Sequence, residues 1–218
     1  MRVIKLSHND LNEMIRHAIC SVLNESEGAR LTLYHGSPHD FIKFQTNNIG
    51  TGEGNQSFGY GLYFTENKGV AEYYAKTLSG DKGGYVYEVS YQPKNGFISW
   101  LGGLDDEFKS KFSQFIKREG YEEMPIKRLL VNGKIETKSA PIDEALDYFP
   151  NMSFFYRNLS LMAGGDKAAS KLLLKCGYDG IVYPSNSLRI NDLNNHGDNY
   201  VLFSEDGVKL VNKTRFGN

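Results

Sequence analysis

The stretch Phe58-Gly59-Tyr60-Gly61-Leu62-Tyr63-Phe64, followed by Ala71-Glu72-Tyr73-Tyr74, decides how the rest of the chain is read. Gly61 to Phe64 has the aromatic content of a short strand. Lys68 to Leu78 places Val70, Ala71, Tyr74 and Leu78 on one face at helical spacing. Glycines 59 and 61 strip side chains from one edge of the strand and leave room beside the aromatics. Such room suits a flat ring held between tyrosines. Taken by itself, the same stretch also reads as an aromatic core strand.

Upstream, Leu31 to Tyr34 reads as a strand that ends at Tyr34-His35-Gly36-Ser37. A glycine beside a histidine lets a ligand approach the backbone while the imidazole bonds to it. A histidine satisfied within the core explains the pair equally well. Gln45 to Gly59 is polar and glycine-rich, and a loop of that length inside a compact domain is commonly functional. Downstream, Gly84 to Tyr91 alternates as a half-buried strand. Helices are expected over Asp105 to Arg118 and Ile142 to Phe149. One or two more fall within Tyr156 to Cys176, broken at Gly164-Gly165. Strands return at Asp179 to Tyr183, Asn199 to Phe203 and Val208 to Val211, with Glu205-Asp206-Gly207 expected to fold the last two into a hairpin. Strands at both ends with helices between them make this an α+β domain. The third cluster, Asp198-Asn199-Tyr200-Val201-Leu202-Phe203, is a strand approached through polar residues, which an ordinary strand cap would also explain.

These three clusters, in this order, resemble the ADP-ribosyltransferase superfamily, in its diphtheria-toxin and poly-ADP-ribose-polymerase branch. His35-Gly36-Ser37, Phe58 to Phe64 and Tyr74 match that branch's first-strand, second-strand and following-helix motifs. Ile49-Gly50-Thr51-Gly52-Glu53-Gly54, Gln56 and the Asn199-Tyr200-Val201 strand are most similar to bacterial and phage members. The likeness runs from about Leu33 to Tyr74 and from about Gly177 to Val211. It implies a split, curved β-sheet core with helical insertions, and NAD in the cleft as co-substrate. His35 would bond to the nicotinamide-side ribose, the Gly36 backbone, beside Ser37, would pair with the carboxamide, and Tyr63 and Tyr74 would stack on the nicotinamide ring. The family's third position, usually glutamate, falls here on Asn199.

Transfer of ADP-ribose breaks a glycosidic bond through an oxocarbenium-like transition state. Nicotinamide in NAD is already cationic, so its departure needs no acid. A carboxylate at the third position favours the developing charge and prepares the acceptor. Asn199 accepts a hydrogen bond but carries no charge and is no useful base. Glu53, in the glycine-rich loop, is the first candidate for the missing carboxylate. Asp198 is the second, although strand alternation turns it away from Asn199. Arg189, in the polar loop before the last core strand, can grip the pyrophosphate in bidentate fashion. Within the resembled family, an absent third glutamate goes with transfer of single ADP-ribose units. The expected function is therefore mono-ADP-ribosyl transfer from NAD to a macromolecule, preferably a protein, by an effector, toxin or phage enzyme. An NAD glycohydrolase and a non-catalytic NAD-binding or structural module, such as a phage particle component, are the alternatives.

The bulk properties agree with one decorated domain. The chain has 218 residues, 40% hydrophobic and 23% charged, with a formal net charge of -1. That balance supplies no overall attraction to nucleic acid. Cys20 and Cys176 form no disulfide framework and no metal-ligand spacing, so two buried thiols and no metal are expected. Leu11, Met14, Ile15, Ala18, Ile19, Val22 and Leu23 make one apolar stripe. Residues 1–28 thus read as an amphipathic helix with a linker, and 29–218 as the transferase-like domain. The helix over 10–23 either packs on that domain or docks on a partner. Glu13, Arg16 and His17 interrupt the apolar run that a signal peptide needs, and no segment is long enough to span a membrane. A soluble, cytoplasmic protein is expected, in the host cytoplasm if it is a phage product or secreted effector.

Overall fold

The computed structural model describes residues 30–49, 56–129, 133–185 and 196–216. The helix expected over 10–23, its linker, Cys20, Glu53 and Arg189 lie outside the described residues. Nine strands and five helices are assigned among those described: β1 Leu31–Ser37, β2 Leu62–Thr65, α1 Lys68–Ser79, β3 Gly84–Tyr91, β4 Gly96–Ser99, α2 Asp106–Arg118, β5 Glu123–Leu129, β6 Ile135–Pro141, α3 Ile142–Tyr148, α4 Met152–Ala163, α5 Asp166–Lys175, β7 Tyr178–Pro184, β8 Asp198–Leu202 and β9 Val208–Phe216. The α+β expectation holds. Seven strands form one mixed sheet in the order β4-β7-β8-β2-β1-β3-β9, and β5 and β6 form a separate ribbon.

The sheet is continuous in order but nearly broken in the middle. β1 and β3 pair along their whole length, from Leu31↔Tyr91 to Ser37↔Tyr85. β1 and β2 meet only at Tyr34↔Thr65. On the far side of the break, β2 pairs with β8 from Leu62↔Leu202 to Thr65↔Asn199, and β8 pairs with β7. Large hydrophobic clusters cover the two faces of the sheet, and one of them spans the break. Residues on one face of β7 and β8, including Ile181, Tyr183 and Val201, pack against Phe112, Phe155 and the other apolar positions of the helices. The opposite face, with Tyr200 and Leu202, joins Leu33, Phe44, Phe64 and Tyr87.

Local sequence signals explain most boundaries. Asp105 caps α2 by accepting a bond from the Phe108 N–H at 2.7 Å, and Asn151 caps α4 through the Phe154 N–H at 3.2 Å. That second cap explains why α4 begins four residues earlier than the apolar spacing places it. Gly164, left-handed at φ 84°, ends α4, so the expected break between two helices is present.

One expectation fails, and one element was not foreseen. The turn at Glu205 to Gly207 closes through the Val208 N–H and Glu205 O at 3.1 Å, but it does not make a hairpin of β8 and β9. Both edges of β8 are already occupied, by β2 and β7, so β9 crosses to the free edge of β3. The β5–β6 ribbon was not anticipated. β6 is mostly exposed and carries no apolar alternation, while β5 contains Pro125 and offers Met124 and Ile126 to the helical core.

Candidate functional site

The break between β1 and β2 opens into a cleft of about 790 Å³. His35 stands at its start. Strand alternation puts it on the same face as Leu33, and its ring sits edge-on to Phe44 at 5.3 Å and beside Phe64 at 5.8 Å. Its Nδ1 lies 2.8 Å from the Tyr63 carbonyl oxygen across the gap. A carbonyl only accepts, so Nδ1 carries the proton. Burial among the aromatic rings pushes the imidazole pKa below its ordinary value, against the smaller upward pull of the Tyr63 bond. The ring is therefore neutral at pH 7, with a lone pair on Nε2. In effect, the imidazole bridges the strands where the backbone ladder stops.

Tyr63 projects to the opposite face of β2. Its hydroxyl donates to the Gly59 carbonyl at 2.8 Å and accepts from the Phe58 N–H at 3.1 Å. Burial, more than the neighbouring Tyr156, Asp166 and Tyr74, raises its pKa, so the phenol stays protonated and fixes the turn before β2. Tyr74 reaches the cleft from α1, half-buried and edge-on to Tyr73 at 5.6 Å. α1 can lie this close to β1 because residue 36 is glycine: a Cβ there would sit 1.9 Å from the Ala71 carbonyl oxygen. Gly84 admits the same helix on β3, where a Cβ would lie 2.3 Å from the Ala75 oxygen.

The glycines therefore serve a purpose different from the expected one. The room at Gly36 is taken by α1. That at Gly59 is taken by the Tyr156 ring, and that at Gly61 by Val201 and the Leu202 backbone. They let elements of the chain approach one another, and the cleft is what remains between those elements. Gly59, at φ +104°, also adopts a backbone conformation that side-chain-bearing residues avoid.

Asn199 lies across the cleft on β8, opposite Thr65 of β2 and Tyr183 of β7. It is 1% exposed, and its Nδ2 has no hydrogen-bond partner among the described residues. Leaving a buried donor unpaired costs roughly 1–3 kcal/mol, so the position is unfavourable for folding unless a ligand completes it. Ser37 is buried too, and its Oγ accepts from the His39 N–H at 3.1 Å, tightening the turn after β1.

The cleft thus gathers His35, Gly36, Ser37, Tyr63, Tyr74 and Asn199 from β1, β2, α1 and β8. Asp198 is not among its lining residues; its backbone N–H and carbonyl are both bonded to Glu66. Sequence reasoning did not single out three further features. Phe58 stacks on Tyr183 at 3.8 Å with the rings 6° from parallel, and together they form one wall. Lys43 brings a positive charge to the rim. Tyr156, whose pKa burial pushes up to about 12, accepts the Tyr60 N–H at 3.0 Å and so ties the Phe58–Tyr60 turn to α4. Aromatic residues are too common in cores for spacing to reveal the Phe58–Tyr183 pair, which joins residues far apart in sequence. Cys176 is buried, and burial raises its pKa. Among the described residues, no three His, Cys, Asp or Glu side chains converge as a metal site requires, and no helix is long and apolar enough to cross a membrane.

Residues 25–216 match the model of a family described as ADP-Ribosyltransferase in polyvalent proteins. No curated protein and no solved structure matches the chain.

Proposed function

The chain belongs to the family of ADP-ribosyltransferases in polyvalent proteins, and on that premise we propose that it transfers single ADP-ribose units from NAD to a protein acceptor, releasing nicotinamide. The observation that carries this reading is the polar pair in the cleft. His35 presents a neutral Nε2 acceptor, and Asn199 presents a buried amide donor without a partner among the described residues. A ribose supplies adjacent hydroxyls, each able to donate and to accept. One hydroxyl donates to His35 Nε2 and another accepts from Asn199 Nδ2, so ribose binding removes the cost of the unpaired amide.

The remaining roles follow from the same placement. Tyr63, its hydroxyl held by Phe58 and Gly59, offers a fixed aromatic surface to the nicotinamide ring, and Tyr74 offers the second. The Gly36 backbone pairs with the carboxamide where β1 has left β2, with Ser37 holding the turn beyond it. Because the leaving group is cationic, bond cleavage needs no proton donor. These residues orient the riboside and exclude water, which accounts for much of the barrier reduction in such a reaction. Asn199 supplies no charge. In this proposal Glu53 of the glycine-rich loop stabilises the oxocarbenium-like transition state, and Arg189, together with Lys43 at the rim, holds the diphosphate.

Incubating the purified chain and a cell lysate with NAD labelled in its adenylate portion tests this reading. Nicotinamide release accompanied by protease-sensitive label on macromolecules is the expected result. Nicotinamide released with free ADP-ribose alone would identify a glycohydrolase. Label removed by nuclease instead would move the acceptor to nucleic acid. No nicotinamide release and no NAD binding would leave only the non-catalytic alternative.

A further inference from the structure

The Asn199 Nδ2 gains no hydrogen bond among the described residues, so its orientation toward the cleft depends on what holds the strand around it. We infer that Glu66 is the positioning residue that locks Asn199 there, an inference that rests on the proposed role of Asn199 toward NAD. Glu66 follows the last residue of β2 and grips the residues on both sides of Asn199. Its backbone N–H donates to the Asp198 carbonyl at 2.9 Å. Its Oε2 accepts from the Asp198 N–H at 3.0 Å, and its Oε1 accepts from the Tyr200 hydroxyl at 2.9 Å. The backbone just before β8 is pressed against the same side chain. Gly197 has φ +93°, and a Cβ there would lie 3.1 Å from Glu66 Oε2 and 3.2 Å from Glu66 Cβ. On its other side, the Gly197 carbonyl accepts from the Ser185 N–H at 3.1 Å.

Alternation converts this grip into orientation. Successive strand side chains point to opposite faces, so a slip of one residue turns each of them over. Together with the β2 and β7 ladders, holding Asp198 and Tyr200 against Glu66 fixes the register Thr65↔Asn199 and leaves the Asn199 side chain the cleft face alone. A strand that hides an unpaired amide is otherwise drawn toward fraying or slipping until the amide finds a partner. Glu66 opposes that tendency without touching the ligand. Geometry, not charge, is what this role requires. A glutamine can reproduce the grip, its carbonyl accepting from the Asp198 N–H and its amide donating to the Tyr200 oxygen. A carboxylate that acted on the reacting atoms could not be replaced in this way.

The test compares Glu66→Ala and Glu66→Gln with the unaltered chain, by backbone hydrogen exchange over residues 198–201 and by the kinetics of nicotinamide release from NAD. Glu66→Ala is expected to speed exchange locally and to lower kcat/KM about tenfold, the size of one lost hydrogen-bond contribution. Glu66→Gln is expected to keep both near those of the unaltered chain. In an Asn199→Ala background, Glu66→Ala should add no further loss, because coupled residues are not additive. Equal losses in the Gln and Ala variants, unchanged exchange in Glu66→Ala, or a full additive loss in the Asn199→Ala background would each overturn the assignment. If the unaltered chain neither binds NAD nor releases nicotinamide, the reading of the cleft fails. Exchange then decides the lock by itself: faster exchange over 198–201 in Glu66→Ala supports it, and unchanged exchange overturns it.

Discussion

β1 has two neighbours and treats them differently. Along β3 it forms a full ladder from Leu31 to Ser37. Along β2 it meets a single partner, Thr65, and then departs. On the laddered side the polar groups are paired and the strand is covered by α1, seated directly on Gly36 and Gly84. On the open side, one imidazole spans the gap to the Tyr63 carbonyl, and a buried amide across the cleft has no partner among the described residues. The cleft is thus a break in a sheet: the residues to which we assign the chemistry line the break, while those on the ladder hold it open.

Several substitutions sharpen or break that contrast. His35→Ala removes the bridge to Tyr63 and, with it, the proposed ribose acceptor. We expect kcat/KM for nicotinamide release to fall by a few hundredfold, in the range of losing a key preorganised group, and steady-state kinetics measures it. On the laddered side, Gly36→Ala drives a methyl into the Ala71 carbonyl. It should lower stability by about 3 kcal/mol, the upper end for overpacking, as read from denaturant unfolding. Asn199→Leu separates the two sides most cleanly. It replaces an unpaired buried donor with a side chain of similar size, so the fold should gain about 1 kcal/mol while NAD affinity falls. A loss of both would mean that the amide is satisfied in the free protein. Tyr63→Phe removes the hydroxyl that holds Phe58 and Gly59, at an expected cost of about 1 kcal/mol and a modest rise in KM.

The smallest effect is in pH. The His35 pKa lies below its ordinary 6.5, chiefly because the ring is buried. Between the folded and unfolded values the unfolded chain binds the extra proton, so stability rises with pH there. The contribution is fully present above 6.5 and is lost as pH falls through the folded value. NMR titration of the imidazole should show it still neutral at pH 6.5, and a ring already protonated there would contradict the assignment.

Much of this arrangement is legible in the sequence, and the reasons differ by region. β3 runs over the residues that its alternation marks, and α1 covers the spacing of Val70, Ala71, Tyr74 and Leu78, with Ala75 buried beside them. The motifs at His35, Tyr63 and Asn199 are short and local, and the fold brings them to one cleft. The roles of the glycines were not legible, because whether an open edge meets a ligand or another element depends on tertiary packing. Nor was the destination of β9, since a turn fixes a reversal and says nothing about which strand edge is free. The grip of Glu66 on Asp198 and Tyr200 joins residues 132 and 134 positions apart, beyond the reach of any local pattern. Glu53 and Arg189 rest on sequence reasoning alone.

The most direct test of the central claim is a crystal structure of the chain with an NAD analogue whose glycosidic bond cannot be cleaved. The account predicts the nicotinamide between Tyr63 and Tyr74, one ribose hydroxyl on His35 Nε2 and another on Asn199 Nδ2. An analogue bound elsewhere, or one in the cleft that leaves the Asn199 amide unpaired, would contradict it.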